Sequence, residues 1–219
     1  KILFILTIVF SVNFIFAQQP RDFSKESARS SQDWVKDAVI YEIFPRQYSA
    51  KGDFNSITAD LDRLQNLGIT VLWIMPIHPI GKLKAKGTVG SPYAVKDFYA
   101  INPDYGTSDD FKRLIAETHK RGMKIIIDIV ANHTSWDSVM MKTKGFHTTN
   151  DKGEIIPPVP DWADVADLNY ENPELRKYMI EMLKTWVRDY DLDGFRCDVA
   201  GFVPTDFWET ARAEVDKIK

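Results

Sequence analysis

From Trp34 to the end of the chain, short apolar runs alternate with amphipathic stretches, and this alternation constrains the fold more than any other feature. VIYEIFPRQYS (39–49) reads as a strand. SITADLDRLQNLG (56–68) reads as a helix, with Ser56 as N-cap, Leu61, Leu64 and Leu67 on one face, and Gly68 as its stop. The cycle repeats with TVLWIMPI (70–77) as strand and SDDFKRLIAETHKRG (108–122) as helix, then MKIIIDIVANH (123–133) as strand and ENPELRKYMIEMLKTWVRDYD (171–191) as helix. GFRCDVA (194–200) and TDFWETARAEVDKIK (205–219) make a fourth pair. Strands with continuous apolar runs are covered on both faces, and with helices between them that implies an α/β fold with a parallel sheet.

Two connections are long. Residues 78–107 separate the second strand from its helix, and 134–170 separate the third strand from its helix. Both follow the C-terminal ends of strands, the face where (β/α) barrels build their sites. A doubly wound open sheet also places ligands there, so position alone leaves both folds open. No glycine-rich phosphate loop follows the first strand, which weakens a nucleotide-binding reading.

DGFRCDVAG (193–201) places two charges inside an apolar run. In a strand Phe195, Cys197 and Val199 share one side, while Arg196 and Asp198 share the other, roughly 6–7 Å apart. Buried charge is costly unless paired, so the pair is either a structural ion pair or a site that needs a desolvated carboxylate held ionised by a cation. The third strand closes with DIVANH, which sets Asp128, Asn132 and His133 at its mouth.

DIVANH followed by GFRCDVAG resembles the first two signature regions of glycoside hydrolase family 13, the α-amylase family. GSPYAVKDFYAINPDYGT (90–107) is similar to that family's Gly-x-x-Tyr-x-x-x-Asp loop after the second strand, and VADLN (165–169) to a segment near the end of its small domain B. The likeness spans residues 34–219 and implies the first four strand–helix units of a (β/α)8 TIM barrel, with a short domain B at about 134–170. It implies that Asp198 is the nucleophile of a retaining hydrolase acting on α-glucosidic bonds of starch-type glucans or maltooligosaccharides. Arg196 matches the arginine beside it, a permanent cation that keeps the aspartate an anion. Tyr93 matches an aromatic that stacks on the sugar, and His133 a donor to a sugar hydroxyl. Asn132 and Asp167 match positions that bind calcium in many members, and no organic cofactor is implied. Gly201 and Phe202 replace the Lys-His pair of calcium-dependent amylases, which counts against that metal site. Asp128 is expected to order the strand end, Trp136 and Trp162 to pack, with a sugar platform as their alternative, and His78, His119 and His147 to have no role.

The net charge is -3, with 44% hydrophobic and 27% charged residues, so the composition is that of a soluble globular chain and nothing points to nucleic acid. One cysteine excludes an intramolecular disulfide. Residues 1–17, KILFILTIVFSVNFIFA, read as a secretory signal peptide cleaved after Ala17, with an uncleaved anchor or a buried helix as alternatives. Residues 18–33 read as a linker. The product is then exported to the periplasm or outside the cell, with no stable membrane association after cleavage.

A retaining glycosidase needs a second carboxyl about 5–5.5 Å from the nucleophile. The resemblance places it on a fifth strand, after the last residue here. Glu209 and Glu214 lie in a helix and do not qualify. The expectation is therefore a fragment, inactive alone, of a longer enzyme. A transglycosylase or isomerase on α-glucosides, or a non-catalytic membrane-anchored accessory subunit, are the alternative functions.

Overall fold

The computed structural model describes residues 22–28 and 30–219. The expected signal peptide lies outside the described residues, and the expected linker does so in part. The chain divides after Lys36. Before that point the described residues carry two single 3₁₀ turns, Phe23–Lys25 and Asp33–Val35.

The second unit holds the strand–helix alternation. Strand β1 is Ile40–Ile43, shorter than the apolar run, because Pro45 cannot donate to a ladder and instead opens a helical turn, α1 (Pro45–Tyr48). The single helix expected next is two, α2 (Phe54–Ala59) and α3 (Leu61–Asn66). Asp53, not Ser56, is the N-cap: its carboxylate accepts from the Ser56 amide at 2.8 Å. The break falls at Asp60, whose backbone leaves the helical region and whose carboxylate is held by Arg63 and Tyr48. Leu61 and Leu64 are fully buried, but Leu67 is 62% exposed. Six residues past Leu61 lies roughly 120° around the helix, off the packed stripe.

The remaining elements follow the expected order, except that the third strand stops at Ile129 and His133 opens an unexpected antiparallel pair. They are β2 (Val71–Ile74), α4 (Ser108–Lys120), β3 (Lys124–Ile129), β4 (His133–Ser135), β5 (Val165–Asp167), α5 (Pro173–Tyr190), β6 (Gly194–Cys197) and α6 (Thr205–Val215). Thr107 and Asp110 form a reciprocal capping box at the start of α4. Strands β1, β2, β3 and β6 lie side by side in that order, all parallel. The insert after β3 is closed by the antiparallel pair β4–β5, which aligns His133 with Asp167.

Strand parity decides which side chains meet the helices. Leu72 and Ile74 on β2, and Ile125, Ile127 and Ile129 on β3, are fully buried in the core with Leu64, Phe111, Leu114, Met179 and Trp186. The opposite parity puts Trp73, Ile126, Asp128 and Arg196 on the inner side. Trp186 ties α5 to the long β2 loop by donating its indole N–H to the Phe98 carbonyl at 2.9 Å. His78 sits edge-on against Phe98 and Trp186, and burial pushes its pKa down to about 4, so it packs there as a neutral ring. His119 is not a bystander on an exposed helix: its Nε2 lies 2.7 Å from the Asp193 carboxylate just before β6.

The β2 loop is seated through Gly81. A Cβ there would stand 2.0 Å from the Ser135 side chain, so only glycine admits this approach. Gly81→Ala is expected to lower the unfolding free energy by roughly 1–3 kcal/mol, an overpacking cost read from urea denaturation. Gly68, with φ +87° and nothing within 4 Å of an added Cβ, should lose only about 1 kcal/mol on the same change. Equal losses at both sites would contradict the close packing at Gly81.

Candidate active site

The inner face of the sheet carries an Asp–Arg–Asp cluster. Register pairs Asp128 of β3 with Arg196 of β6. Arg196 Nη1 donates to both Asp128 oxygens, at 3.0 and 3.2 Å, and to Asp198 Oδ1 at 2.6 Å. Asp198 follows β6 directly, and its amide still bonds to the Ile129 carbonyl at 2.8 Å, so the ladder fixes its backbone. The side sharing expected of Arg196 and Asp198 is what the structure has.

Asp128 is completely buried, and it also accepts from the Tyr93 hydroxyl at 3.2 Å. Burial pushes its pKa up to about 6, against the pull of the Arg196 hydrogen bonds and charge. On Arg196 burial works against the charge, but the hydrogen bonds to Asp128 and Asp198 outweigh it and hold the pKa above the ordinary range. The two shifts describe one pair from opposite sides. A guanidinium sharing two carboxylates stays charged, and Asp128, the more deeply buried acid, is the member that titrates. Arg196 also lies over the Trp73 ring, 5.0 Å from its centroid.

A cavity of about 240 Å³ opens beside this cluster, lined by Ser91, Tyr93, His133, Trp162, Asp164, Val165, Asp198 and Val199. Tyr93, His133 and Asp198 therefore come together as expected, while Asp128 is sealed behind Tyr93 and Arg196. Burial lowers the His133 pKa, opposed by the Asp198 charge and a hydrogen bond to the Tyr93 backbone. Asn132 is buried, its amide 3.2 Å from His133 Nδ1. Val199 has φ +40°, a left-handed conformation that a β-branched residue adopts only under strain. It turns the chain immediately after Asp198.

Two participants go beyond the sequence expectation. Asp128, expected to order the strand end, joins the charged cluster, and Asp164, which no motif singles out, lines the cavity. Trp162 lines it too, the alternative to packing. Asp128 was legible in principle, since strand parity and pairing place it opposite Arg196. Trp162 and Asp164 lie in irregular chain, where no periodicity points inward. Trp136 does pack, donating its indole N–H to the Ala163 carbonyl at 2.9 Å. His147 is a buried partner of the Thr134 hydroxyl at 2.8 Å, with its pKa pushed down to about 4 by burial. Burial also pushes the Cys197 thiol up to about 11, so it is not a reactive thiolate.

Asn132 and Asp167 sit on adjacent positions of the β4–β5 region, where Leu168 donates to the Asn132 carbonyl. Burial raises the Asp167 pKa. Their three side-chain oxygens fall short of the six to eight that calcium takes. Among the described residues no group of three or more His, Cys, Asp or Glu could hold a metal. These residues do not by themselves fit a calcium centre, and no step below passes through one.

Parallel β/α units with a charged cluster and an aromatic-lined cavity at the carboxyl ends of the strands are the arrangement on which (β/α) barrels build their sites. The chain matches the α-amylase catalytic domain over residues 16–154 and 160–218, and it belongs to the α-amylase family, glycoside hydrolase family 13. It is 32% identical to the trehalose-6-phosphate hydrolase of Bacillus subtilis over 79% of this chain and 36% of that protein. It is 33% identical to alpha-amylase 3 of Dictyoglomus thermophilum over 80% of this chain and 39% of that protein. Among solved structures, an alpha-amylase from Lactobacillus plantarum superposes with a TM-score of 0.81 at 46% identity, covering 85% of this chain and 44% of that one. A noncanonic maltogenic alpha-amylase from Thermotoga neapolitana gives 0.80 at 44% identity, covering 84% and 44%. The four strand–helix units are thus the N-terminal part of a TIM barrel. The chain spans well under half the length of these relatives.

Asp128 yields a pH test. Its folded-state pKa, about 6, lies above the ordinary 3.8, so between these values the folded chain binds the extra proton. Its contribution to stability is full below about pH 4 and is lost as pH rises through 6. The unfolding free energy of wild type relative to Asp128→Asn should fall over that window and level off above about pH 7. A difference that is flat from pH 4 to 7 would show that Asp128 is not the titrating member.

Proposed function

We propose that Asp198 is the nucleophile of a retaining hydrolase of α-glucosidic bonds in starch-type glucans or maltooligosaccharides. The observation that carries this reading is the Asp198 carboxylate in the cavity wall with Arg196 Nη1 2.6 Å behind it. Arg196 does not line the cavity, so it orders the carboxylate without blocking its approach to a sugar carbon. Tyr93 offers a ring to the apolar face of the sugar, and His133 a polar ring edge to a hydroxyl.

In the reaction so read, an Asp198 oxygen bonds to the anomeric carbon as the glycosidic C–O bond breaks, and the departing oxygen takes a proton from a second carboxyl group acting as general acid. Water then attacks the same carbon and gives its proton to that carboxylate, the Asp198 ester bond breaks, and configuration is retained. The proton donor is not assigned within these residues. Asp128 is closed off from the cavity, and Asp164 is paired with Lys86. The activity is that of the protein that carries this chain. Its export to the periplasm or beyond rests on the apolar stretch 1–17.

The test is a 2-deoxy-2-fluoro maltosyl fluoride incubated with that protein. A glycosyl adduct on the Asp198 peptide, found by mass mapping, is expected. Asp198→Asn should cut maltotriose turnover at least roughly 10⁴-fold while sugar binding persists. An adduct on another residue, or turnover surviving in Asp198→Asn, would remove Asp198 from the role.

A further inference from the structure

Trp162, Asp164 and Val165 form one wall of the cavity. Val165 is held in β5 against Ser135, and the Trp162 ring lies 5.9 Å from that of Phe202. Residues 161–164 are also held by the tip of the β2 loop. Lys86 Nζ donates to the Asp161 carbonyl at 2.9 Å and pairs with Asp164 Oδ1 at 3.0 Å. Lys84 Nζ stands 3.5 Å above the centre of the Trp136 ring, whose indole N–H reaches the Ala163 carbonyl. Residues 161, 163 and 164 are therefore all tied, directly or through one ring, to two lysines. Trp162 lies between those ties, with its ring centre 5.7 Å from that of His133.

The base and the tip of this loop are held differently. At the base, Gly81 lies against Ser135, the Lys82 amide bonds to both Asp137 oxygens at 3.2 Å, and Lys96 pairs with Asp137 at 3.3 Å. At the tip, Leu83 and Val89 are 55% and 52% exposed, so neither of these apolar side chains seats it. Lys84 itself takes a left-handed backbone, φ +59°, a conformation that lysine adopts at a cost. The cation–ring contact and the ion pair are what the tip has in exchange. Asp164 is nearly buried while Lys86 is well exposed, so the pair is open to salt on one side only.

We propose that Lys84 and Lys86 form a clasp that holds the Trp162–Asp164 wall against the cavity, and so act as positioning residues for the sugar. Neither lysine lines the cavity. Lys86 reaches Asp164 from the solvent side, where water can take its place, so loss of the clasp loosens the wall locally without unfolding the chain. The sugar part of this inference rests on the reading of the cavity as a glucan site; the clasp itself does not.

Two measurements separate them. Amide hydrogen exchange of the double variant Lys84→Met/Lys86→Met should speed up in residues 160–166 at least several-fold, with β1 to β3 unchanged. Lys86→Arg, which keeps charge and reach, should behave as wild type. Unchanged exchange in the double variant overturns the clasp. In the protein that carries this chain, maltotriose KM should rise roughly two- to fivefold for Lys86→Met, with kcat held and the effect shrinking at high salt. A fall in kcat at unchanged KM overturns the positioning role. Faster exchange in a protein with no affinity for maltotriose would leave the clasp standing and overturn the glucan reading.

Discussion

One guanidinium nitrogen of Arg196 serves two carboxylates, Asp198 at 2.6 Å and Asp128 at 3.0 Å, and the site is organised around that shared atom. Neither acid is a tolerable solitary charge where it sits. Asp128 has no solvent exposure, and its burial is compensated by Arg196 and the Tyr93 hydroxyl. The arrangement works because β3 and β6 are in register, so Asp128 and Arg196 meet across a ladder rather than across a loop. Asp128 fixes Arg196, and Arg196 presents Asp198 to the cavity.

The same logic of rigid base and placed tip recurs in the two long inserts. Tyr93 comes from the β2 loop, and His133 and Trp162 from the insert after β3, so the cavity exists only where these two segments face each other. Their bases are fixed by dense contacts: Trp186 and His78 under one, the β4–β5 pair within the other. Their outer parts are held by polar and cation–ring contacts on the surface. Binding loops are commonly drawn from such weakly held regions, since a wall that admits a ligand cannot be part of the core.

Strain adds a further element at the centre. Val199 holds a left-handed backbone directly after Asp198, where the chain leaves the sheet. A regular continuation of β6 would carry Val199 and the residues after it onward along the strand direction. The turn at Val199 ends the strand and leaves the carboxylate at the rim, beside His133 and Trp162.

The sequence by itself determined the order of strands and helices, the parallel sheet, and the meeting of Arg196 with Asp198, because apolar periodicity and strand parity are local properties of the chain. Its motifs also brought Tyr93 and His133 to the same site. It was less reliable where one local signal competed with another: Pro45 cut β1 short, and Asp53 displaced Ser56 as a cap. Only the tertiary structure decided that Asp128 is a full member of the cluster, that Trp162 faces the cavity, and that Asp164 stands there with a lysine behind it. Those roles depend on which segments lie opposite one another across 68 or 78 residues of chain, from Asp128 to Arg196 and from Lys86 to Asp164. Such distances are set by the packing of the whole sheet and its inserts, and no window of sequence contains them.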